Sequence, residues 1–493
     1  MRLTDCYSLF LFAALALVPL MPSSDSIWVD EAQTWRYARH ATFAGWRTEI
    51  ASDRFSESQM PLGMFSAWVG ARLLGTSEWA MRAPNMLWAA GAILIFAALG
   101  RALKQPFLTL LFAVQPYLWF YTNEARPYAL QIFSGAVLLY GLYQAIQLKL
   151  RGNIWAFVLG TGAVICCASS MLGLFSTIPA LVILLYYILK EKWLITRTSL
   201  VIGVFFTAAL IPLGLYYGFK VFQGAGGAKL WKVGISNLAY SCLEFSGFAG
   251  LLPARQALRA MAHNSDSVCS VWLSAFPRAV LAVFLISFFL LMGIWLIKSW
   301  RQISDWSRTC LFFFVTSFFL LWLAATVVHF PFWGRHLAAS FPAFICLVGA
   351  FLGCLWSKGL GGRALVIAFF ISLTASSLLL RFSPDHAKDD YRGAAHWILT
   401  HSKPGETIWW AADPTGGTYY KIFSLNPYEP PSIPSLHIMN PDLAHLETVA
   451  FPKFVALSKV DVYDARGATR QWLKTNSFRQ VASFQSFAIW APP

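Results

Sequence analysis

Four stretches of the chain set acids, arginines and aromatics close together, each beside a long apolar run. The first is Trp28-Val29-Asp30-Glu31-Ala32-Gln33-Thr34-Trp35-Arg36-Tyr37. Its two carboxylates stand at the expected start of a short helix reaching Ala41, where the partial positive charge of a helix N-terminus favours the ionised form. That placement suits a general base at neutral pH. It equally suits a cap, with Asp30 closing an interfacial helix anchored by Trp28, Trp35 and Tyr37. The second stretch is Gly75-Thr76-Ser77-Glu78 with Arg82 just before Pro84, and the third is Tyr121-Thr122-Asn123-Glu124-Ala125-Arg126-Pro127-Tyr128. The fourth is His329-Phe330-Pro331-Phe332-Trp333-Gly334-Arg335-His336. Taken singly, such charges mark an interface, and arginine snorkels there for structural reasons alone.

The elements that carry these residues follow from composition. Of 493 residues, 57% are apolar and only 12% charged, against about a quarter charged in an average soluble domain. Soluble enzymes, disordered chains, collagens and disulfide-rich scaffolds are excluded. The net charge of +15 does not indicate a nucleic-acid partner, because the basic residues sit between apolar runs rather than on one soluble face.

A polytopic α-helical membrane protein of about eleven spans is expected. They lie near Leu9–Met21, Pro84–Gly100, Pro106–Tyr121, Tyr128–Ile146, Trp155–Ser170, Leu172–Leu189, Leu200–Tyr217, Ala279–Ile297, Leu311–Val328, Leu337–Trp356 and Ala364–Leu380. The run after Gln59-Met60-Pro61-Leu62, ending at Leu74, is too short for a comfortable span and reads as a re-entrant or interfacial helix.

Lys and Arg gather in alternate short loops: Arg101/Lys104, Lys149/Arg151, Lys190/Lys192/Arg197, Lys298/Arg301/Arg308 and Lys358/Arg363. By the positive-inside rule that set is cytoplasmic, with the N-terminus. All four chemistry-bearing stretches then face outward, as do a first loop over 24–83, a large loop over 218–277 and everything after Arg381. The first span would also fit a cleaved signal peptide, against which stand its weak n-region and the missing Ala-x-Ala ending.

Residues 1–381 read as the transmembrane catalytic domain and 382–493 as a small outer α/β domain. In the latter, helices are expected at Asp389–His401 and Thr415–Phe423, and strands at Thr407–Ala412, Phe454–Leu457 and Phe484–Trp490, with Asn426–Pro434 a loop. Most of the eight cysteines are small apolar fillers inside spans. Cys242 and Cys269 share an outward loop, where an oxidising compartment would permit a disulfide. The Gly224–Gly227 stretch gives the large loop flexibility for an acceptor-side gate.

Acids and arginines gathered in one layer at a bilayer surface tend to mark a site. Arginine forks hold a phosphate, aromatics support lipid or sugar, and a carboxylate takes a proton from a hydroxyl. Such a set suits a phosphate-linked lipid carrying a sugar.

With these residues in place the chain resembles the GT-C superfamily of polyprenyl-phosphate-dependent glycosyltransferases, in particular the bacterial relatives of protein O-mannosyltransferases and lipid A aminoarabinose transferases. The resemblance rests on Asp30-Glu31-Ala32, Met60-Pro61-Leu62, Leu74-Gly75-Thr76-Ser77-Glu78 with Arg82-Ala83-Pro84, and Asn123-Glu124-Ala125-Arg126-Pro127-Tyr128. It resumes at Gly334-Arg335-His336 and Asp390-Tyr391-Arg392-Gly393-Ala394-Ala395. Two departures are Gln59-Met60 where the family often has His-Pro, and Arg335-His336 where it often has Arg-Tyr.

The resemblance implies a multi-pass protein of the bacterial inner membrane with a periplasmic C-terminal domain. It implies an inverting transfer of a monosaccharide from a polyprenyl-phosphate donor, undecaprenyl-phosphate first among them, to a hydroxyl of an envelope lipid, glycan or protein. Asp30 would be the base with Glu31 beside it. Glu124, Arg126 and Tyr128 would bind the donor, and Arg335, Arg82 and His336 would face the departing phosphate. No cofactor is expected, and no Asp-x-Asp in the first two outward loops calls for a divalent metal, although the Asp30/Glu31 pair could hold one. The rival reading is a transporter or flippase of a polyprenyl-linked lipid, which would commonly show internal repeats and midplane polar residues.

Overall fold

The computed structural model describes residues 21–105, 107–223, 234–251, 276–330, 332–424 and 434–493. The expected first span up to residue 20, the Gly224–Gly227 stretch, residues 252–275 with Cys269, and residues 425–433 of the proline-rich run lie outside them.

Three short helices precede the bundle: α1 (Val29–Ala38), α2 (Phe43–Ser52) and α3 (Pro61–Leu74), the last entered by a 3-10 turn at Ser56–Gln59. Pro61 opens α3, where its missing N–H costs nothing, and Gly75 at φ 85° closes it. The bundle comprises α4 (Glu78–Ala102), α5 (Phe107–Ala113), α6 (Pro116–Thr122), α7 (Tyr128–Gln147), α8 (Ile154–Ser169), α9 (Leu174–Glu191), α10 (Arg197–Phe222), α11 (Ile235–Ser246), α12 (Phe276–Lys298), α13 (Asp305–Val328), α14 (Phe341–Trp356) and α15 (Leu360–Phe382).

Among the described residues, eight segments are long and apolar enough to cross a membrane, and the chain is a multi-pass membrane protein. The hydrophobic window of α7 is 72% buried and that of Gly334–Trp356 is 83% buried, whereas that of α10 is only 6% buried. The first two segments are therefore the bundle's axis, and α10 shows its apolar side chains to the surroundings, as lipid allows.

Two expected spans differ from the structure. Pro106–Tyr121 is not one helix: α5 and α6 are broken at Val114-Gln115, because Gln115 is extended (ψ 126°) ahead of Pro116, which starts the next helix. Over Trp155–Ser170 the helix α8 has 16 residues, about 24 Å at 1.5 Å per residue and so shorter than a ~30 Å hydrocarbon core. Ser170, extended at φ −164°, separates α8 from α9. The large loop also starts later than expected, since α10 continues to Phe222 and buries Lys220 against the carbonyls of Ala51 and Asp53 at 2.7 and 2.9 Å.

The C-terminal part holds α16 (Tyr391–His401), β1 (Ile408–Ala411), α17 (Pro414–Tyr419), β2 (Ser435–His437), α18 (Leu443–Thr448), β3 (Phe454–Ser458), α19 (Val460–Tyr463), α20 (Ala468–Thr475), β4 (Arg479–Phe484) and β5 (Phe487–Ala491). The sheet order is β2-β1-β3-β5-β4, with β2, β1 and β3 parallel and the β5 and β4 pairings antiparallel. Alternation sends Ile408 and Trp410 into one apolar layer with Tyr391 and Ile489. It sends Trp409 and Ala411 into the other, with Trp472 and Leu457. Burial on both faces explains why β1 reads as an unbroken apolar run.

The expected last strand Phe484–Trp490 is present as β5 but begins only at Phe487, because its first residues belong to the end of β4 and the turn of a hairpin. Gln485 and Ser486 separate β4 from β5, and Ser486 takes φ 67°. The helix expected over Thr415–Phe423 stops at Tyr419, and Lys421 follows in the left-handed region at φ 66°.

Candidate active site at one end of the bundle

The N-terminal ends of α4 and α7, the 3-10 segment Gly334–Ser340 before α14, and α1 converge at one end of the bundle. Trp28, extended at ψ 175°, takes the cap position of α1; Glu31 Oε2 accepts from its backbone N–H at 3.5 Å, and the side chain of Asp30 is left for tertiary partners. The alternative of Asp30 as the helix cap is thereby corrected: that position belongs to Trp28.

Glu31 is fully buried and engaged on every side. Arg82 donates Nε to Oε1 at 2.8 Å and Nη2 to Oε2 at 2.7 Å, Lys388 donates Nζ to Oε1 at 2.8 Å, and the Ala125 N–H donates to Oε1 at 2.8 Å. Burial by itself would raise the Glu31 pKa, but the charges of Arg82 and then Lys388 outweigh it and hold the carboxyl at about 2. Arg82 has the remaining donors on the carbonyls of Ser23, Asp25 and Ser26, at 2.9, 2.8 and 3.2 Å, and has no exposed surface. The structure thus gives Arg82 a different task from facing a phosphate: it ties the chain before α1 to α4 and clamps Glu31. Glu31, saturated by two cations, is a positioning group rather than a free proton acceptor.

Asp30 is the accessible acid of the pair. Its Oδ2 accepts from Arg335 Nη1 at 2.9 Å, with about a fifth of each side chain exposed. Burial pushes its pKa up, but Arg335, Arg126 and Lys459 together pull it below the ordinary carboxylate value. The Arg335 guanidinium lies 5.9 Å from the ring centre of Tyr128, and its Nε is buried with no partner among the described residues. Arg126 lies just beneath, donating Nη1 to Glu57 Oε1 at 2.8 Å and to the Asp30 carbonyl at 3.2 Å. Its salt bridge to Glu57 makes it a strut for the backbone under Asp30, while its Nε is buried with no partner among the described residues.

Glu124 is 1% exposed, and neither carboxylate oxygen has a hydrogen-bond partner among the described residues. Burial raises its pKa to about 7; Lys388 and Arg335 pull down, while Asp30 and Glu31 push up. Its loop is pinned by Asn85, which donates to the Glu124 carbonyl, and by the Ala125 bond to Glu31. His336 follows Arg335 and buries Nδ1 with no partner among the described residues. All eight residues singled out in the sequence therefore meet in one cluster.

Other members escaped the sequence reading. Lys388 binds Glu31 and the Asn123 carbonyl, at 2.8 and 2.6 Å; its only signal was a lysine just beyond the last span. Glu57 preceded Met60-Pro61 without evident purpose. From the C-terminal part, Lys459 lies over the Trp28 ring at 5.6 Å, Thr415 accepts from Gln33 Nε2 at 2.9 Å, and the Tyr420 hydroxyl accepts from the Ile27 N–H at 2.7 Å. These contacts depend on chain segments some 390 residues apart, which no local pattern announces.

Among the described residues, no group of three or more His, Cys, Asp or Glu is arranged to hold a metal ion. No family model matches the sequence, and a search of curated proteins finds no match. Solved structures similar to this chain include ArnT from Cupriavidus metallidurans in the apo state, at 16% identity and a TM-score of 0.49, covering 99% of this chain and 98% of that one. The same protein bound to undecaprenyl phosphate is also similar, at 16% identity and a TM-score of 0.48, covering 98% of this chain and 97% of that one.

Proposed function

We propose that the chain is an inverting glycosyltransferase of GT-C type that moves a monosaccharide from a polyprenyl-phosphate donor, undecaprenyl-phosphate first among candidates, to a hydroxyl of an envelope lipid, glycan or protein. The observation that carries this reading is the Asp30–Arg335 pair: an ionised, partly exposed acid and a guanidinium with a free donor, set at the end of an apolar bundle with Glu124 and Tyr128 beside them. The bilayer places a lipid phosphate at that depth, and a guanidinium is the natural fork for it.

In the unliganded site Arg335 holds Asp30 ionised and makes it a weak base. A donor phosphate competes for Arg335 and draws the guanidinium off the carboxylate, so that the Asp30 pKa rises as the donor arrives. The acid is then ready to take the proton of the acceptor hydroxyl as its oxygen attacks the anomeric carbon. The lipid phosphate leaves with the bonding electrons, against the charge of Arg335. Glu124, neutral below about pH 7, can donate a hydrogen bond to the same phosphate.

The alternating basic loops support an active face outside the cytoplasm, with the N-terminus inside and the C-terminal domain on the outer side of the bacterial inner membrane.

Transfer from radiolabelled polyprenyl-phosphate sugars to envelope acceptors tests the reading. Wild type transfers and Asp30→Asn falls by about 10²–10⁴-fold, the usual worth of a positioned base. A folded wild-type protein that binds polyprenyl phosphate but transfers from no donor would move the assignment to a lipid transporter.

A further inference from the structure

A cavity of about 170 Å³ opens beside the Glu31–Lys388 pair, where the C-terminal end of α15 meets α6 and the segment leading to α16. Its wall includes Asp25, Trp119, Asn123, Arg381, Phe382 and Lys388. Two cations on its wall keep donors that no described residue takes. Arg381 gives one N–H of Nη2 to the Met21 carbonyl at 2.6 Å, and its Nε and Nη1 have no partner among the described residues. Lys388 uses two of its three N–H groups, on Glu31 and on the Asn123 carbonyl.

One side of the rim is apolar. Phe382 is 65% exposed and stands with Leu380 and Phe120 on that side of the wall, while the segment Ser383 to Ala387, with His386, closes the other. The volume equals about six waters at ~30 Å³ each, and is below the ~300 Å³ at which pockets take whole ligands. It therefore admits a compact charged head while any attached chains lie outside, along the apolar surface of α15.

We propose that this cavity binds the phosphate head of an anionic amphiphile, with Arg381 and Lys388 as its cationic ligands and the Phe382 rim against the first carbons of the tail. The site shares Lys388 with the clamp on Glu31, but no wall residue bonds to the side chain of Asp30 or Arg335, and binding there does not depend on the transfer reaction. A guanidinium and an ammonium converging on a small hollow give charge-assisted hydrogen bonds to phosphate oxygens. A zwitterionic choline head, which carries its own cation and more bulk, gains less. Asp25, exposed on the wall, weakens the field that the two cations make.

Calorimetric titration of the full-length protein in phosphatidylcholine nanodiscs tests the site, with dihexanoyl phosphatidic acid, inorganic phosphate and dihexanoyl phosphatidylcholine as separate probes. Wild type binds the phosphatidic acid, Arg381→Gln weakens it by about tenfold or more, and Asp25→Asn strengthens it about threefold. The Asp25 variant alters an exposed side chain and reads the same field without disturbing the Met21 contact, so the test survives if Arg381→Gln fails to fold.

Equal affinity in wild type and both variants, or no binding, overturns the proposal. Inorganic phosphate bound as tightly as phosphatidic acid overturns the amphiphile in favour of a free-anion site. The readout needs no transfer: an Asp30→Asn protein inactive in transfer but binding phosphatidic acid normally supports both readings. Active transfer without phosphatidic acid binding sinks only this one.

Discussion

Two buried glutamates, Glu31 and the Glu124 whose neighbour Ala125 bonds to it, carry opposite predictions, because one has partners and the other has none among the described residues. Glu31 is saturated by Arg82 and Lys388, so Glu31→Gln removes the charge that balances the fully buried Arg82 and its neighbour Lys388. Unfolding stability should fall by about 3–5 kcal/mol, read as a lower melting temperature in detergent. The partly exposed Asp30–Arg335 pair is worth only about 0–1 kcal/mol, so Arg335→Gln should lose transfer while melting near wild type.

Glu124 behaves in the reverse sense. Its folded pKa is raised from 4.5 to about 7, so the folded state holds its proton more tightly, and stability falls as pH rises from about 4.5 to 7 and then levels. The shift corresponds to about 3 kcal/mol. Replacing the acid with its neutral isostere, Glu124→Gln, should therefore raise the melting temperature at pH 8 and leave it nearly unchanged at pH 5. Glu31, held near 2, stabilises the fold in full above about pH 4.5 and loses that contribution only as the pH falls from there, outside that window.

At the scale of elements, the position of Arg335 depends on how closely α7 meets the segment Gly334–Ser340. Gly135 in α7 lets the backbone of Ala339 approach to where a Cβ would stand, and a methyl group there collides with the Ala339 carbonyl. Gly135→Ala should cost about 1–3 kcal/mol by overpacking and should also lower transfer, because the displaced segment carries Arg335 and His336. Gly203, on outlying α10 with nothing within 4 Å of its added Cβ, is the control, and Gly203→Ala should change neither. The break between α5 and α6 matters in the same way: it lets Tyr117 reach the Gly334 carbonyl at 2.9 Å, which holds the start of that segment from the opposite helix.

For the whole molecule, the orientation read from basic loops leads to a labelling result. In a protein whose exposed Cys242 has been replaced, single cysteines at the exposed positions Ser56 and Lys403 should react with a membrane-impermeant maleimide in intact cells. One at Arg197 should react only after permeabilisation. The reverse pattern would put the Asp30 cluster in the cytoplasm and end the proposed reaction with a periplasmic acceptor. The C-terminal part is more than a cap over that cluster. It supplies Lys388 to Glu31 and Tyr420 to the backbone before α1, and Tyr419 donates to the Thr76 carbonyl at 2.8 Å. A chain ending at Ser383 should accordingly lose transfer even where the bundle inserts.

The sequence by itself determined that the chain is a bundle of membrane-crossing helices and which helix ends carry the chemistry-bearing residues, though not the break at Val114-Gln115. Apolar length and the alternation of basic loops are one-dimensional properties, set by bilayer thickness and by the cost of moving charge across it. It also placed Asp30, Glu31, Arg82, Glu124, Arg126, Tyr128, Arg335 and His336 in one layer, because ionisable groups at the ends of apolar helices are confined to it.

Only the tertiary structure decided what each of them does. Glu31 and Asp30 are neighbours of the same type, yet one is locked by Arg82 and Lys388 while the other faces Arg335 with surface exposed. Arg82 and Arg335 looked alike, and burial with a full set of partners separated them. Charge, unlike apolarity, acts through distance and the local dielectric. Both are fixed by contacts between segments as far apart as Glu31 and Lys388, whose meeting depends on the whole fold.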